Sequence, residues 1–166
     1  MNIAEISLMR EGDLEAIHEI EERAFPQPWT VNMFRGELMN PEKRIYLTAR
    51  VEDGIVGYGG IILIDGEAHV TTLAVDTPYR ERGIGSLLAL RIIEFAVLKR
   101  VHWISLEVRE SNEAAKRMYG KFGFRQIGVR KKYYADDENA AIMWTNDIQS
   151  DDYRNMLVDL KENLLK

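Results

Sequence analysis

VTTLAVDTPYRERGIG, residues 70–85, runs from a strand through a turn into a helix, and the rest of the chain reads as a frame around it. Val70 to Val75 is β-branched and apolar enough for a buried strand. Asp76, Thr77 and Pro78 stop it, and an apolar run of helical length begins at Ile84. A glycine-rich turn therefore opens a helix. The first amides of a helix have no partner within it, and the macrodipole there favours negative charge, so backbone alone can bind a phosphate at that end. Gly83 and Gly85 permit close approach, and Arg80 and Arg82 add donors suited to phosphate oxygens. Taken alone, R-x-x-G-x-G has two readings, because a tight turn before any helix needs glycines with or without a ligand. The stretch lacks the Lys-Ser/Thr ending of a nucleotide P-loop, and it lacks the third glycine and downstream carboxylate of a dinucleotide fingerprint. A phosphate-bearing ligand other than ATP or NAD is the most that it supports.

The chain has 166 residues, enough for one domain with a real core, and no polar linker divides it. The start, MNIAEISLMREGD, has no basic segment followed by an apolar run, and no apolar stretch is long enough to span a bilayer. A soluble, cytoplasmic protein with no membrane association is the expectation. The formal charge of −5 argues against a general nucleic-acid binder, although Arg125, Arg130, Lys131 and Lys132 leave room for a local basic patch. With no cysteine there is no disulfide, no zinc-thiolate site and no acyl-cysteine intermediate. His18, His69 and His102 are scattered without the spacing of a metal motif, so no metal is expected and each reads as a half-buried polar residue.

Outward from the central stretch, Ile3 to Met9 reads as a strand, and a helix follows with Leu14, Ile17, Glu21 and Ala24 on one stripe. Phe25-Pro26-Gln27-Pro28-Trp29 ends that helix in an extended corner, and Thr30 caps a short helix through Leu38. The corner is either a rigid bend with buried aromatics or one wall of a substrate groove. Ile45 to Glu52, Ile55 to Ile64 and Glu67 to Val75 read as an antiparallel meander turning at Asp53-Gly54 and Asp65-Gly66. The helix from about Gly83 to Lys99 is apolar nearly all round and should lie buried on the sheet. Trp103 to Arg109 is a strand that an intervening helix prevents from forming a hairpin with Val70–Val75, so the two should pair in parallel. Asn112 starts a helix that stops at Gly123, and Arg125 to Tyr134 with Ala140 to Thr145 forms a last hairpin. From Ser150 the tail carries Tyr153, Met156, Leu157, Leu160 and Leu164 on one stripe, a helix that either packs on its own domain or meets a second copy.

Two residues stand out against this frame. On the strand Ile104 to Val108 the two-residue period puts Ser105, Glu107 and Arg109 on the face opposite Ile104, Leu106 and Val108. A carboxylate within a sheet is either paired, here with Arg109 or Arg130, or used in chemistry. Tyr119, near the end of its helix with Met118 and Phe122 around it, is either core or within reach of a ligand where two parallel strands diverge.

VTTLAVDTPYRERGIGSLL, then SLEVRESNEAAKRMYGKFGF, then KKYYADDENAAIMW, resembles the GNAT acetyltransferases, and within them the RimI group of protein N-terminal acetyltransferases. The likeness runs from the first strand to about Ile148 and includes the PQPW corner. It implies an α/β (α+β) GNAT fold: a mixed, mostly antiparallel sheet of about seven strands flanked by helices, a GNAT domain over 1–148, and a C-terminal helical extension over 149–166. It implies acetyl-CoA as donor, its pyrophosphate on the backbone of Glu81, Arg82, Gly83, Ile84, Gly85 and Ser86, and its thioester beside Leu73, Ala74 and Val75. Asn112 would contact the CoA arm. Glu107 would be the general base, directly or through water, and Tyr119 would protonate the departing thiolate in a direct transfer. Tyr133 and Tyr134, with Pro28 and Trp29, would line the groove for a polypeptide N-terminus; the two tyrosines also fit plain cross-strand packing at an edge hairpin. In the RimI group the expected bacterial substrate is the alanine-starting N-terminus of small-subunit ribosomal protein eighteen, while archaeal relatives act on many N-termini. The helix after Ile148 departs from the group's pattern and leaves a monomer and a weak homodimer both open.

The amine follows from acidity. Deprotonating an α-amine of pKa ~8 at pH 7 costs about 1.4 kcal/mol, against about 4.6 kcal/mol for a lysine near ~10.4. A single carboxylate base is better matched to the α-amine. Two other readings stand beside it: acetylation of a lysine or small amine, suggested by the acidic loop Asp136 to Glu138, and a CoA-binding module without catalysis, in which Glu107 is merely bridged.

Overall fold

Seven strands build one sheet: β1 (Glu5–Leu8), β2 (Arg44–Val51), β3 (Gly54–Ile64), β4 (Glu67–Val75), β5 (Trp103–Arg109), β6 (Arg125–Arg130) and β7 (Ala140–Trp144). The computed structural model describes residues 4–166, and within them the order across the sheet is β1-β2-β3-β4-β5-β7-β6. Five of the six pairings are antiparallel; β4 and β5 run parallel, joined by a helical crossover as the intervening helix requires. The final hairpin folds back so that β7, the last strand in sequence, lies between β5 and β6.

Five α-helices within the described residues cover the sheet: α1 (Leu14–Ala24), α2 (Val31–Leu38), α3 (Ile84–Leu98), α4 (Glu113–Lys121) and α5 (Asp151–Leu164). On one face, Leu14, Ile17 and Ile20 of α1 and Phe34 of α2 pack with Tyr46, Tyr58 and Ala74 of the strands. On the other, α3 sinks Leu88, Ile92 and Ile93 onto Leu47, Ile61 and Val70, and Tyr119 and Phe122 extend this core through α4. Each such aliphatic side chain taken fully out of water contributes about 1.5–3 kcal/mol. The caps are those that the residue types predict: Thr30 accepts the Met33 amide at 3.2 Å, Asn112 the Ala115 amide at 3.1 Å, and Ser150 the Tyr153 amide at 3.3 Å. The tail helix lies on its own domain, with Tyr153 and Leu157 in the main core and the Tyr153 hydroxyl donating to the Phe122 carbonyl at 2.7 Å.

Three strands are shorter than their sequence suggests, β7 by the single residue Thr145. The expected strand from Ile3 to Met9 spans Glu5–Leu8, with Ile3 outside the described residues. The strand expected to reach Tyr134 ends at Arg130, because the chain turns left-handed at Lys132 (φ 51°), whose amide is taken by the Asn139 side-chain oxygen at 3.0 Å.

One irregularity decides the architecture. In the β3–β4 ladder Gly60 faces Thr72 while Ile61 faces Val70, so Thr71 is an extra, bulged residue on β4. The bulge is anchored by polar bonds: the Thr71 hydroxyl donates to the Gly60 carbonyl at 3.2 Å and lies 2.7 Å from the Tyr46 hydroxyl, which itself donates to Glu37 at 2.7 Å. Tyr46 lies flat over Gly60, where any side chain would meet its ring. Gly60→Ala should therefore overpack this corner and lower stability by about 1–3 kcal/mol, read as a lower urea midpoint at unchanged slope. An unaltered midpoint would contradict the close approach.

Candidate functional site

The parallel strands β4 and β5 share only the pairs Glu67↔Trp103, Ala68↔Ile104 and His69↔Ser105. Beyond His69 the bulge carries β4 away, and a cleft of about 820 Å³ opens between the strands. Leu73 on β4, Glu107 on β5, Asn112 and Tyr119 from α4, Trp29 of the corner, and Tyr133 and Tyr134 all line it. Seven expected site residues, far apart in sequence, thus meet at one place.

Glu107 stands on the α1/α2 side of the sheet with only 13 % of its side chain exposed. One carboxylate oxygen lies 3.0 Å from His69 Nε2 and the other 3.3 Å from Arg130 Nε. Of the two arginines the sequence offered, Arg130 is thus a partner and Arg109 is not. The Arg109 guanidinium bonds Asp136 at 2.8 Å, with Glu138 3.7 Å away, and stacks 4.2 Å over the Tyr134 ring. His69 is the residue that sequence reasoning missed. Cross-strand register brings it to Ser105, whose hydroxyl lies 3.1 Å from Nδ1, so one imidazole links that hydroxyl to the Glu107 carboxylate. With Nε2–H donating to Glu107, Nδ1 accepts from the Ser105 hydroxyl, so the imidazole orients the carboxylate.

Tyr119 enters from the opposite side of the sheet. Its ring packs edge-on against Phe124 at 5.2 Å, and its hydroxyl has no hydrogen-bond partner among the described residues. Burial pushes the phenol above its ordinary range, so it keeps its proton. Asn112 spends its side-chain oxygen on the helix cap, which leaves the amide nitrogen as its free polar group.

The remaining expected residues do not line the cleft. Ala74 points into the α1/α2 core, Val75 packs towards α3, and Phe25, Pro26 and Gln27 stand at the cavity wall in place of Pro28. Arg80, Glu81, Arg82, Gly83, Ile84, Gly85 and Ser86 form the turn into α3, apart from the cavity lining. Gly83 caps α3 at φ 78°, with no side chain accepting from the first turn and nothing within 4 Å of where its Cβ would be. The first amides of the helix thus have no side-chain cap. Arg80 Nε donates to the Val75 carbonyl at 3.0 Å, and the Arg82 guanidinium lies 5.2 Å from the Tyr79 ring centre. Among the described residues no cluster of His, Asp or Glu could hold a metal ion.

The fourth wall is the loop after β6. Tyr133 and Tyr134 meet edge to face at 5.1 Å, with Arg130 5.8 Å over the Tyr133 ring. The loop is tied down by Asp136 on Arg109, by Ser111 donating to Glu138 at 2.6 Å, and by Asn139 donating to Glu110 at 3.0 Å. The aromatic pair lines the cleft from a loop beyond the end of β6, so the cross-strand packing that the sequence also allowed does not form.

The chain that carries this parted sheet matches the acetyltransferase (GNAT) family over residues 14–124; it belongs to that family and is an acetyl-transferring enzyme. It is 37 % identical over 142 residues, covering 85 % of this chain and 94 % of the relative, to a Bacillus subtilis protein named as a candidate [ribosomal protein bS18]-alanine N-acetyltransferase. It is 35 % identical over 135 residues to the N-alpha-acetyltransferase RimI of Mycobacterium tuberculosis, covering 78 % of this chain and 83 % of that one. The crystal structure of the ribosomal-protein-S18-alanine N-acetyltransferase from Escherichia coli superposes with a TM-score of 0.79 at 29 % identity, over 87 % of this chain and 94 % of that one.

Arg109 sits at the centre of the ties that hold the tyrosine loop. Arg109→Ala should leave the melting temperature within a few degrees, since part-exposed ion pairs contribute about 0–1 kcal/mol each, while trypsin cuts the 131–139 loop several times faster. Equal cleavage rates in the two proteins would show that the loop holds without it.

Proposed function

We propose that this enzyme acetylates the α-amine of a polypeptide N-terminus, with acetyl-CoA as donor. The reading rests above all on one observation: Glu107 and Tyr119, from opposite faces of the sheet, line the same cleft between β4 and β5. The relatives named for alanine of ribosomal protein S18 support an alanine-first chain of that kind, and hence action in the cytoplasm. Among the described residues no helix is long and apolar enough to cross a membrane. The catalytic unit is residues 1–148, and 149–166 is a brace on the end of α4 through Tyr153 and Phe122.

The residues present fit the donor. The uncapped start of α3, with open space over Gly83 and arginines at 80 and 82, suits a pyrophosphate on the amides of Glu81 to Ser86. The edge of β4 at Leu73, which has no partner on β5, offers backbone groups to a thioester, and the Asn112 amide nitrogen is free for the pantetheine arm. Acetyl-CoA supplies an acetyl group already activated as a thioester, so a chain without cysteine needs no covalent intermediate. Glu107, oriented by His69 and Arg130, takes the proton of the attacking amine. Tyr119 holds its proton at the phenol oxygen on the far side of the gap, where a leaving sulfur is neutralised. Trp29, Tyr133 and Tyr134 flank the first residues of the acceptor, with Pro28 stiffening the corner. In the acidic loop that suggested a lysine or polyamine substrate, Asp136 is engaged by Arg109 and Glu138 by Ser111, which favours the α-amine.

Turnover is measured by free thiol release from acetyl-CoA with alanine-initiated peptides and with the same peptides blocked at the N-terminus. The free peptides should be acetylated and the blocked ones should not. Glu107→Gln and Tyr119→Phe should each lower kcat by ~100-fold or more while acetyl-CoA binding stays intact, as for loss of a general base or acid. No turnover with any α-amine peptide defeats the reading, and an unchanged kcat in both variants removes the two role assignments.

A further inference from the structure

Three carboxylates line the cleft, and two of them have cationic partners: Glu107 faces His69 and Arg130, and Asp136 faces Arg109. The third, Glu21, has no lysine, arginine or histidine within 4 Å among the described residues. It is also the most buried of the three, with 3 % exposure, on the stripe of α1 that packs Leu14, Ile17 and Ile20 into the core. A carboxylate in that position is costly, and an aliphatic residue would pack there more stably. Its oxygens accept neutral donors only, Oε1 from the Trp29 amide at 3.0 Å and Oε2 from the Tyr58 hydroxyl. The nearest imidazole, His18, is engaged elsewhere, with Nδ1 2.9 Å from the Trp29 carbonyl and Nε2 3.4 Å from Glu22. Burial raises the pKa of Glu21 above the ordinary carboxylate range, and the Tyr58, Trp29 and His18 contacts offset only part of that rise.

We infer that Glu21 is the binding site for the cationic amino group of the incoming polypeptide, the counter-charge that the cleft otherwise leaves out. The inference rests on the α-amine reading of the reaction and adds a residue to it. A free α-amine is mostly protonated at pH 7, so the acceptor arrives as an ammonium that must be held before it is deprotonated. Glu21 supplies a buried anion for that ion. The same side chain holds Trp29, so the anchor and the groove wall form one unit. Glu107, turned towards His69 and Arg130, is then left to take the proton.

The test measures equilibrium binding, in the presence of CoA, of an alanine-initiated tetrapeptide and of its des-amino analogue, in which hydrogen replaces the α-amine. The full-length wild type should prefer the amine peptide by about tenfold or more, as expected for a buried charge pair. Glu21→Gln, of the same shape and without the charge, should reduce that preference to about threefold or less while the des-amino peptide binds within about twofold of wild type. A merely structural role would weaken both peptides alike, and that result overturns the proposal, as does a preference that survives Glu21→Gln. Glu107→Gln should keep the preference while losing turnover; loss of the preference in that variant alone assigns the ammonium to Glu107 and overturns the proposal even if Glu21→Gln fails to fold. A wild type that acetylates no α-amine peptide defeats the parent reading, whereas normal turnover with no effect of Glu21→Gln defeats this inference only.

Discussion

After His69 and Ser105 the backbones of β4 and β5 stop sharing hydrogen bonds, and the rest of the site depends on that separation. Polar backbone groups inside a protein have to be satisfied by something, so a parted pair of strands in mid-sheet is stable only where water or a ligand can enter. The parting is enforced from the neighbouring strand. Thr71, the extra residue of β4, is held by the Gly60 carbonyl and the Tyr46 hydroxyl, and Tyr46 is held in turn by Glu37. Tyr46 can lie there because residue 60 has no side chain. A polar anchor of four residues on one side of the sheet thus holds open the gap on the other side of β4.

The gap runs through the sheet, which gives the site two approaches. On the α3/α4 side lie the uncapped helix start and Tyr119; on the α1/α2 side lie Glu107, His69, Glu21 and the aromatic walls. Two substrates that entered from opposite faces would meet at the strand edges without competing for one surface, an arrangement suited to direct transfer. The charges are sorted in the same way. The carboxylates gather where an amine would enter, and the free amides and arginines gather where phosphates would lie.

Much of the site could be read from the sequence because it obeys local periods. Alternation put Glu107 on the face opposite Leu106, the cap residue Asn112 set the start of α4 and hence the place of Tyr119, and a turn rich in glycine marked the start of α3. The bulge left a trace that was overlooked. Val70, Leu73 and Val75 all face α3, and a spacing of three between the first two breaks strand alternation by one residue. The partners of the charged groups were less legible. Arg109 lies two residues from Glu107 on the same face, yet its guanidinium turns to Tyr134 and Asp136 on a loop whose course follows from the left-handed turn at Lys132. His69 reaches Glu107 only through the parallel register of strands 36 residues apart.

By itself, then, the chain determined its elements, a glycine-rich helix start and the face of β5 on which Glu107 stands, since each depends on neighbours within a turn of helix or a few residues of strand. Tertiary structure alone decided how wide the strands part, which ions pair across the gap and that Glu21 is buried without a cation beside it. Those outcomes depend on register and packing between segments tens of residues apart, where a shift of one position exchanges every contact.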